Sequence, residues 1–339
     1  ETNDNQLIAG GEGLVGGHSH DGGFSSTTTA SFSTDFYLGS VDAGTAATNY
    51  PVMATYGFQI DLNTSFTGED SLDISLDAGN TATGTKSVTE FDGNATADAL
   101  KVDGVSYTFP VGGATVFVAD NGDASALFTT ACTYGGPTNT LDDCGNVNAG
   151  PTGGGVAFGS SYDFGNGFSA AFGYQSNTTE TAGIMTEESK DSYAFNGSYT
   201  GSNYGLSVTY ASVEDGVLST SKEDTYTAFN GYYTPDVEGF PSLSIGFENG
   251  DDASKTTEDE IKSLFVGLQW DEVGPGSAGV ALGHSSTPAN LDEEYMYEAY
   301  YSYPINDGMT ITPVVYVKES RVSGQDDTTG FLVKTSFSF

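Results

Sequence analysis

Apolar and polar residues alternate with a period of two over most of the chain. Phe58, Ile60 and Leu62 alternate with Gln59 and Asp61, and Leu72, Ile74 and Leu76 with Asp73, Ser75 and Asp77. Leu243, Ile245 and Phe247 alternate with Ser244, Gly246 and Glu248, and Tyr297, Ala299, Tyr301 and Tyr303 with Met296, Glu298, Tyr300 and Ser302. Successive side chains of a strand point to opposite faces, so each run predicts a strand with one apolar face and one polar, often charged, face. About sixteen such segments fit between residues 24 and 339, within the range of single-chain bacterial barrels. The pattern is least regular at 114–120, where Val116, Phe117 and Val118 are consecutive, and at 224–234, where both faces carry aromatics.

The connections sharpen the picture, because they alternate long and short. Long ones cover 80–98, 121–154, 177–190, 214–223 and 250–260. Between them lie Thr67-Gly68-Glu69-Asp70, Gly112-Gly113, Gly165-Asn166-Gly167, Gly201-Ser202-Asn203 and Asn306-Asp307-Gly308, where Gly, Asn and Asp supply the positive φ of tight hairpins. Only the connection at 234–240 is longer than its class. Short turns at one end and long loops at the other predict an all-β, closed antiparallel transmembrane barrel, with short periplasmic turns and long extracellular loops. In lipid every backbone N–H and C=O must pair within the protein, so the sheet must close on itself. An even strand count places both ends of the sheet on the periplasmic side. Pro313 lies inside a predicted strand, where it removes a ladder donor, and is expected at a bulge or a strand end.

Composition narrows the functional classes. No run of eighteen apolar residues exists, so no membrane-spanning helix can be drawn. Forty-six acidic residues against nine basic ones give a net charge of −37, which repels phosphate backbones and argues against nucleic acid as a partner. Such charge can accompany disorder, but twenty-one Phe and twenty Tyr at regular spacing belong to a folded β protein. Cys132 and Cys144, the two cysteines, predict a disulfide formed in an oxidising compartment. The chain opens without Met and without a basic-then-apolar leader, so it is expected to begin after a processing site or to be a piece of something longer.

The last strand ends in alternating apolar residues, with Phe331, Phe337 and Phe339 on one face, a pattern similar to outer-membrane assembly signals. Over most of 24–339 the chain resembles the porins of cyanobacterial outer membranes, especially marine ones. The likeness rests on Phe24-Ser-Ser-Thr-Thr-Thr29, Leu62-Asn-Thr-Ser-Phe-Thr-Gly68, Leu76-Asp-Ala-Gly-Asn80, Gly104-Val-Ser-Tyr-Thr-Phe109, Gly135-Gly-Pro-Thr-Asn-Thr-Leu-Asp-Asp-Cys144 and Tyr303-Pro-Ile-Asn-Asp-Gly308. The resemblance implies a homotrimer in outer-membrane lipid that passes small solutes and inorganic ions, with no cofactor. Members of that family usually carry an N-terminal surface-layer-homology domain that tethers the barrel to peptidoglycan. Residues 1–23 are instead a Gly-rich, acidic lead-in, and the tether is expected upstream of residue 1.

Candidate chemistry outside a pore is sparse. His18 and His20 beside Asp21 form a transition-metal candidate, for which a flexible polar linker is the preferred reading. Asp251, Asp252, Glu258, Asp259 and Glu260 are a calcium candidate, for which a solvated, self-repelling loop is preferred. An enzyme would need a nucleophile beside a base, and His284 is the sole histidine of the strand region, with no Gly-x-Ser-x-Gly nearby, so no catalytic site is expected. A competing class is an acidic surface protein, adhesin-like or a phage or partner receptor.

The pore reading makes two specific claims. The connection 121–154, with Ala-Leu-Phe at 126–128 and both cysteines, is expected to fold back into the lumen and narrow it. Asp35, Asp61, Asp73, Asp77, Glu248 and Glu298 fall on polar faces, with Lys334 as a lone basic counterpart, while the loop adds Asp123, Asp142 and Asp143, with Asp120 at its root. Arg321 is the chain's one arginine, so no arginine ladder can oppose these carboxylates, and a cation-selective channel is expected.

Overall fold

The computed structural model describes residues 27–43, 50–81, 88–91, 93–152, 154–177, 183–186, 189–214, 223–251, 260–288, 291–322 and 324–339. The strands in chain order are β1 (Thr28–Asp42), β2 (Tyr50–Thr64), β3 (Ser71–Gly79), β4 (Lys101–Val111), β5 (Ala114–Gly122), β6 (Gly155–Gly165), β7 (Phe168–Ser176) and β8 (Asp191–Thr200). They continue as β9 (Tyr204–Glu214), β10 (Glu223–Tyr233), β11 (Ser242–Asp251), β12 (Glu260–Val273), β13 (Gly276–Pro288), β14 (Met296–Asn306), β15 (Met309–Lys318) and β16 (Thr328–Ser338). Each strand pairs with its sequence neighbours, and β1 pairs antiparallel with β16 to close the sheet into a barrel. The seam ends in a reciprocal pair, Phe32 N–H to the Phe339 carbonyl and Phe339 N–H to the Phe32 carbonyl, both 3.0 Å, with the two rings stacked at 5.6 Å. Closure leaves no edge strand, which satisfies the backbone requirement of a hydrocarbon surrounding.

Register carries the face assignment around the barrel, since cross-strand partners share a face. Phe36 pairs with Tyr56, Phe229 with Phe247 and Val208, and Ile245 with Val266; these form the outer face, and many are exposed. A soluble monomer rarely exposes an apolar patch beyond roughly a few hundred Å², so an apolar face running round the barrel calls for lipid. Toward the short-turn end the outer face gains aromatic neighbours: Tyr107 with Phe109, Tyr162 with Phe164, Phe168 with Tyr199, and Tyr301 with Tyr303. Such rings suit the polar–apolar boundary of a bilayer. Among the described residues no helix is long and apolar enough to cross a membrane, a criterion that does not apply to strands.

The tight turns are built as their residues dictate. In the β6–β7 turn, Gly165, Asn166 and Gly167 all take positive φ (76°, 54° and 86°). The β2–β3 turn is organised by Asp70, which accepts bonds from Phe66 N, Thr67 N, Ser65 Oγ, Thr67 Oγ1 and Tyr107 OH at 2.7–3.0 Å. Burial pushes this carboxyl up, but those bonds outweigh it and hold it below the usual carboxylate range. Pro313 departs from expectation. It sits mid-strand in register with Val333, at no bulge, and the ladder between β14 and β15 is instead interrupted beside it, between the pairs Tyr300–Val314 and Tyr303–Ile311.

The inner face is not uniformly polar. Tyr37, Val41, Phe265, Met296, Val314, Tyr316 and Leu332 point inward by register and are buried in one apolar cluster. They are covered from inside the barrel by loop residues Val88, Phe91, Tyr134 and Leu141.

Candidate functional site

The connection between β5 and β6, residues 123–154, lies against the inner wall. Its outgoing leg is extended, and alternate N–H groups turn to the barrel. Thr129 N donates to Asn196 Oδ1 on β8 (3.0 Å), Ala131 N to Ser207 Oγ on β9 (2.9 Å), Thr133 N to Ser244 Oγ on β11 (2.9 Å) and Gly135 N to Gln269 Oε1 on β12 (2.7 Å). Ala124 N begins the series on Gln175 Oε1 of β7 (3.0 Å). The period of two in the loop thus meets one inward acceptor from each of several strands, a ladder made of side chains. Each bond contributes about 1 kcal/mol net, and leaving the buried N–H groups unpaired would cost more.

The return leg is held by charge. Glu248 accepts from Asn148 N (2.7 Å), Ala149 N (2.8 Å) and Asn148 Nδ2 (2.7 Å), and Asn230 Nδ2 donates to the Cys144 carbonyl (2.8 Å). Glycines make room for these approaches: a Cβ at Gly246 would run into the Cys144 carbonyl, and one at Gly173 into that of Ala124. Cys132 and Cys144 form a disulfide, Cα–Cα 6.4 Å, across the loop's tip. Inside that closed ring Tyr134 packs its ring on Phe265 and Tyr300, and its hydroxyl donates to Glu298 Oε1 (2.6 Å). Burial, followed by the Glu298 charge, raises the Tyr134 phenol, so it stays a donor.

The predicted carboxylates divide into three groups. Asp35, Asp61, Asp73 and Asp77 point inward from β1–β3, part-exposed, on the wall that the loop's ladder does not cover. Asp61 accepts from Gln59 Nε2 (2.7 Å) and Ser75 Oγ (2.6 Å), and Asp73 from Asn63 Nδ2 (2.5 Å) and Ser71 Oγ (2.6 Å), so both are oriented by neighbours. Asp35 meets Lys334 at 3.1 Å, which leaves that lysine compensated. A crevice between β3–β5 and the loop brings Asp73 together with Asp103 and with Asp123 of the loop.

The second group has a role that differs from the one expected. Glu248 and Glu298 do point inward, but the loop covers them, leaving 0% and 4% exposure. They are anchors for the loop and do not line water. The strand pattern gives the face of a side chain but not what later packs over that face.

The third group belongs to the loop. Asp142 and Asp143 are exposed near its tip. Enclosure within the barrel, then the charges of Asp142 and Glu248, push the Asp143 carboxyl up to about 6. Asp120 shares a register face with Val105, on the outer side of β4, and is exposed there. It lies within the register shift between Ala119 and Gly122 and does not face the lumen.

Phe331 and Phe337 take the outer face of β16, and Phe339 closes the seam. His18, His20, Asp252 and Asp259 lie outside the described residues, while Asp251 is exposed at the end of β11. His284 is buried on β13, where Nδ1 meets Thr287 Oγ1 (2.9 Å) and the ring packs on Tyr295 (5.1 Å). Arg321 bonds the Asp292 carbonyl and Thr287 Oγ1 near the long-loop end. The neutral anchors Gln175, Asn196, Ser207, Ser244 and Gln269 went unmarked in the sequence, because an inward serine that binds a loop is patterned like one that meets water.

The chain matches no family model and no curated protein. Comparison with solved structures finds barrels of the same kind. OprB of Pseudomonas putida, solved at high pH, superposes with TM-score 0.67 at 13% identity over 92% of this chain and 94% of that one. An engineered variant of the porin of Rh. blastica gives 0.58 at 13% identity, covering 92% and 100% of the two chains. At this identity the likeness is one of fold.

Proposed function

We propose that the barrel is an outer-membrane channel for the passive passage of small hydrophilic solutes and inorganic ions, and that it favours cations. The observation that carries this reading is the interior. An inward loop is fixed across the β7–β14 wall, and the wall left facing it bears Asp35, Asp61, Asp73 and Asp77, with its nearby Lys334 already paired to Asp35. Carboxylates at a narrowing concentrate cations and exclude anions. The apolar outer face, the closed seam and the likeness in fold to porin barrels support the membrane location. Assembly as a homotrimer of the cyanobacterial type is part of the proposal and rests on the resemblance in sequence.

Reconstitution in a planar bilayer tests it. Discrete conductance steps with a cation-preferring reversal potential under a salt gradient are expected. Neutralising Asp73, Asp77, Asp142 and Asp143 together to Asn should move that potential toward zero. The effect should persist at physiological ionic strength, where loop charges farther than about 8 Å from the path are screened. Anion preference, or a reversal potential unmoved by the four changes, refutes the selectivity mechanism. An intact barrel that never conducts would favour the surface-receptor reading instead.

A further inference from the structure

The long connection between β3 and β4 also enters the barrel. Val88 and Phe91 are 0% and 3% exposed, in a cluster with Tyr37 and Val41 of β1, Val314 and Tyr316 of β15, and Leu332 of β16. The Phe91 ring lies 5.4 Å from that of Tyr37. Between these two anchors, Glu90 reaches toward the β5–β6 loop. Its carboxylate accepts from Thr140 Oγ1 (2.9 Å) and Thr140 N (3.3 Å), its carbonyl accepts from Asn139 N (3.0 Å), and Lys318 of β15 stands 3.9 Å away. The β5–β6 loop is itself bound to the wall from β7 to β12 and to Glu298 of β14. Together the two loops form a continuous bridge across the lumen, from that wall to β15, β16 and β1.

We infer that Val88–Phe91 is an internal plug. It closes the side of the lumen along β15, β16 and β1 and confines permeation to the passage beside the acidic wall of β2–β5. The inference deepens the channel reading above and rests on it. Two features point to a selectivity role beyond structural filling. The seal is apolar, so it excludes water along with solute. The space on that side, against Gly135–Pro137 of the β5–β6 loop, is lined on the barrel wall by Gln269, Ser277, Ser302, Thr312, Lys334 and Ser336, neutral polar groups with one cation. The carboxylates Asp61, Asp73 and Asp77 lie on the other side. A route through the plugged side would therefore bypass most of the acidic wall.

The test replaces Val88 and Phe91 by Ser together and records single channels under a salt gradient, with barrel folding followed by heat-modifiable mobility on gels. Opening a parallel path of comparable section should raise conductance about twofold and move the reversal potential toward zero. A second variant, Glu90→Gln with Thr140→Val, cuts the clasp but leaves the apolar seat, and should produce switching between two current levels. It stands in for the first variant if that one does not fold. Unchanged conductance overturns the plug, and so does a raised conductance with undiminished cation preference. In the Glu90/Thr140 variant, steady single-level currents like those of the unaltered barrel overturn it as well. If the unaltered barrel does not conduct, the channel reading itself fails; if it conducts and the variants match it, only the plug fails.

Discussion

Glu248 is the residue on which the geometry of the β5–β6 loop depends most, and its removal is the clearest test of how that loop is held. The carboxylate is shielded completely and accepts three bonds at 2.7–2.8 Å from Asn148 and Ala149. Bonds to an ionised acceptor contribute about 1.5–3 kcal/mol each, and a buried N–H left without a partner costs about 1–3 kcal/mol. Glu248→Ala orphans two backbone N–H groups, so the docked return leg should lose about 2–6 kcal/mol, the lower end applying where water enters to replace the oxygens. A loss of about 3 kcal/mol is more than a hundredfold in the docked-to-released ratio. The outgoing leg keeps its bonds to Gln175, Asn196, Ser207, Ser244 and Gln269, so release should be partial. Both backbone N–H groups donate to the one oxygen Oε2, so Glu248→Gln can keep them with its carbonyl oxygen and turn its NH₂ to the Asn148 side chain, and should recover much of what Glu248→Ala loses. In single-channel records Glu248→Ala should show larger open-channel noise and a raised mean conductance, and Glu248→Gln a smaller change, with barrel assembly unaltered on gels. An intact Glu248→Ala barrel with the conductance and noise of the unaltered protein would refute the anchoring role.

Two further predictions concern the same loop. Reducing the Cys132–Cys144 disulfide, or replacing both cysteines by Ser, frees a ring whose closure restricts the unfolded loop by about 3 kcal/mol in the chain-entropy account, and should raise channel noise without unfolding the barrel. Lowering pH from 7 to 5 passes the raised Asp143 value of about 6, so this carboxylate gains a proton, the interior loses negative charge, and cation preference should weaken over that interval; Asp143→Asn should flatten that part of the profile.

Much of the molecule is legible in local pattern because strands report their two faces locally. The alternation of Leu243, Ile245 and Phe247 with Ser244, Gly246 and Glu248 names the face each residue takes once the sheet exists. The Gly-Asn-Gly turn at 165–167 announces its hairpin because few other residues accept its φ values. The long–short alternation of loops then implies closure, since lipid tolerates no unpaired edge. The two cysteines likewise announced their bond.

What covers a face is decided only by tertiary structure. Nothing in the alternation distinguishes Glu248, sealed beneath the loop, from Asp73, which faces the crevice, because both are inward carboxylates with hydroxyl neighbours. Tyr37, Val314 and Leu332 break the polar-inside rule because loops separated from them by tens to hundreds of residues come to rest there. Asp120 turns outward because register is a property of two strands together, which one strand's sequence does not specify. Sequence by itself therefore determined the barrel, its two faces, its turns and its charge. The tertiary contacts decided which parts of the inner face meet water, because that depends on where the loops find apolar seats and hydrogen-bond acceptors on distant strands.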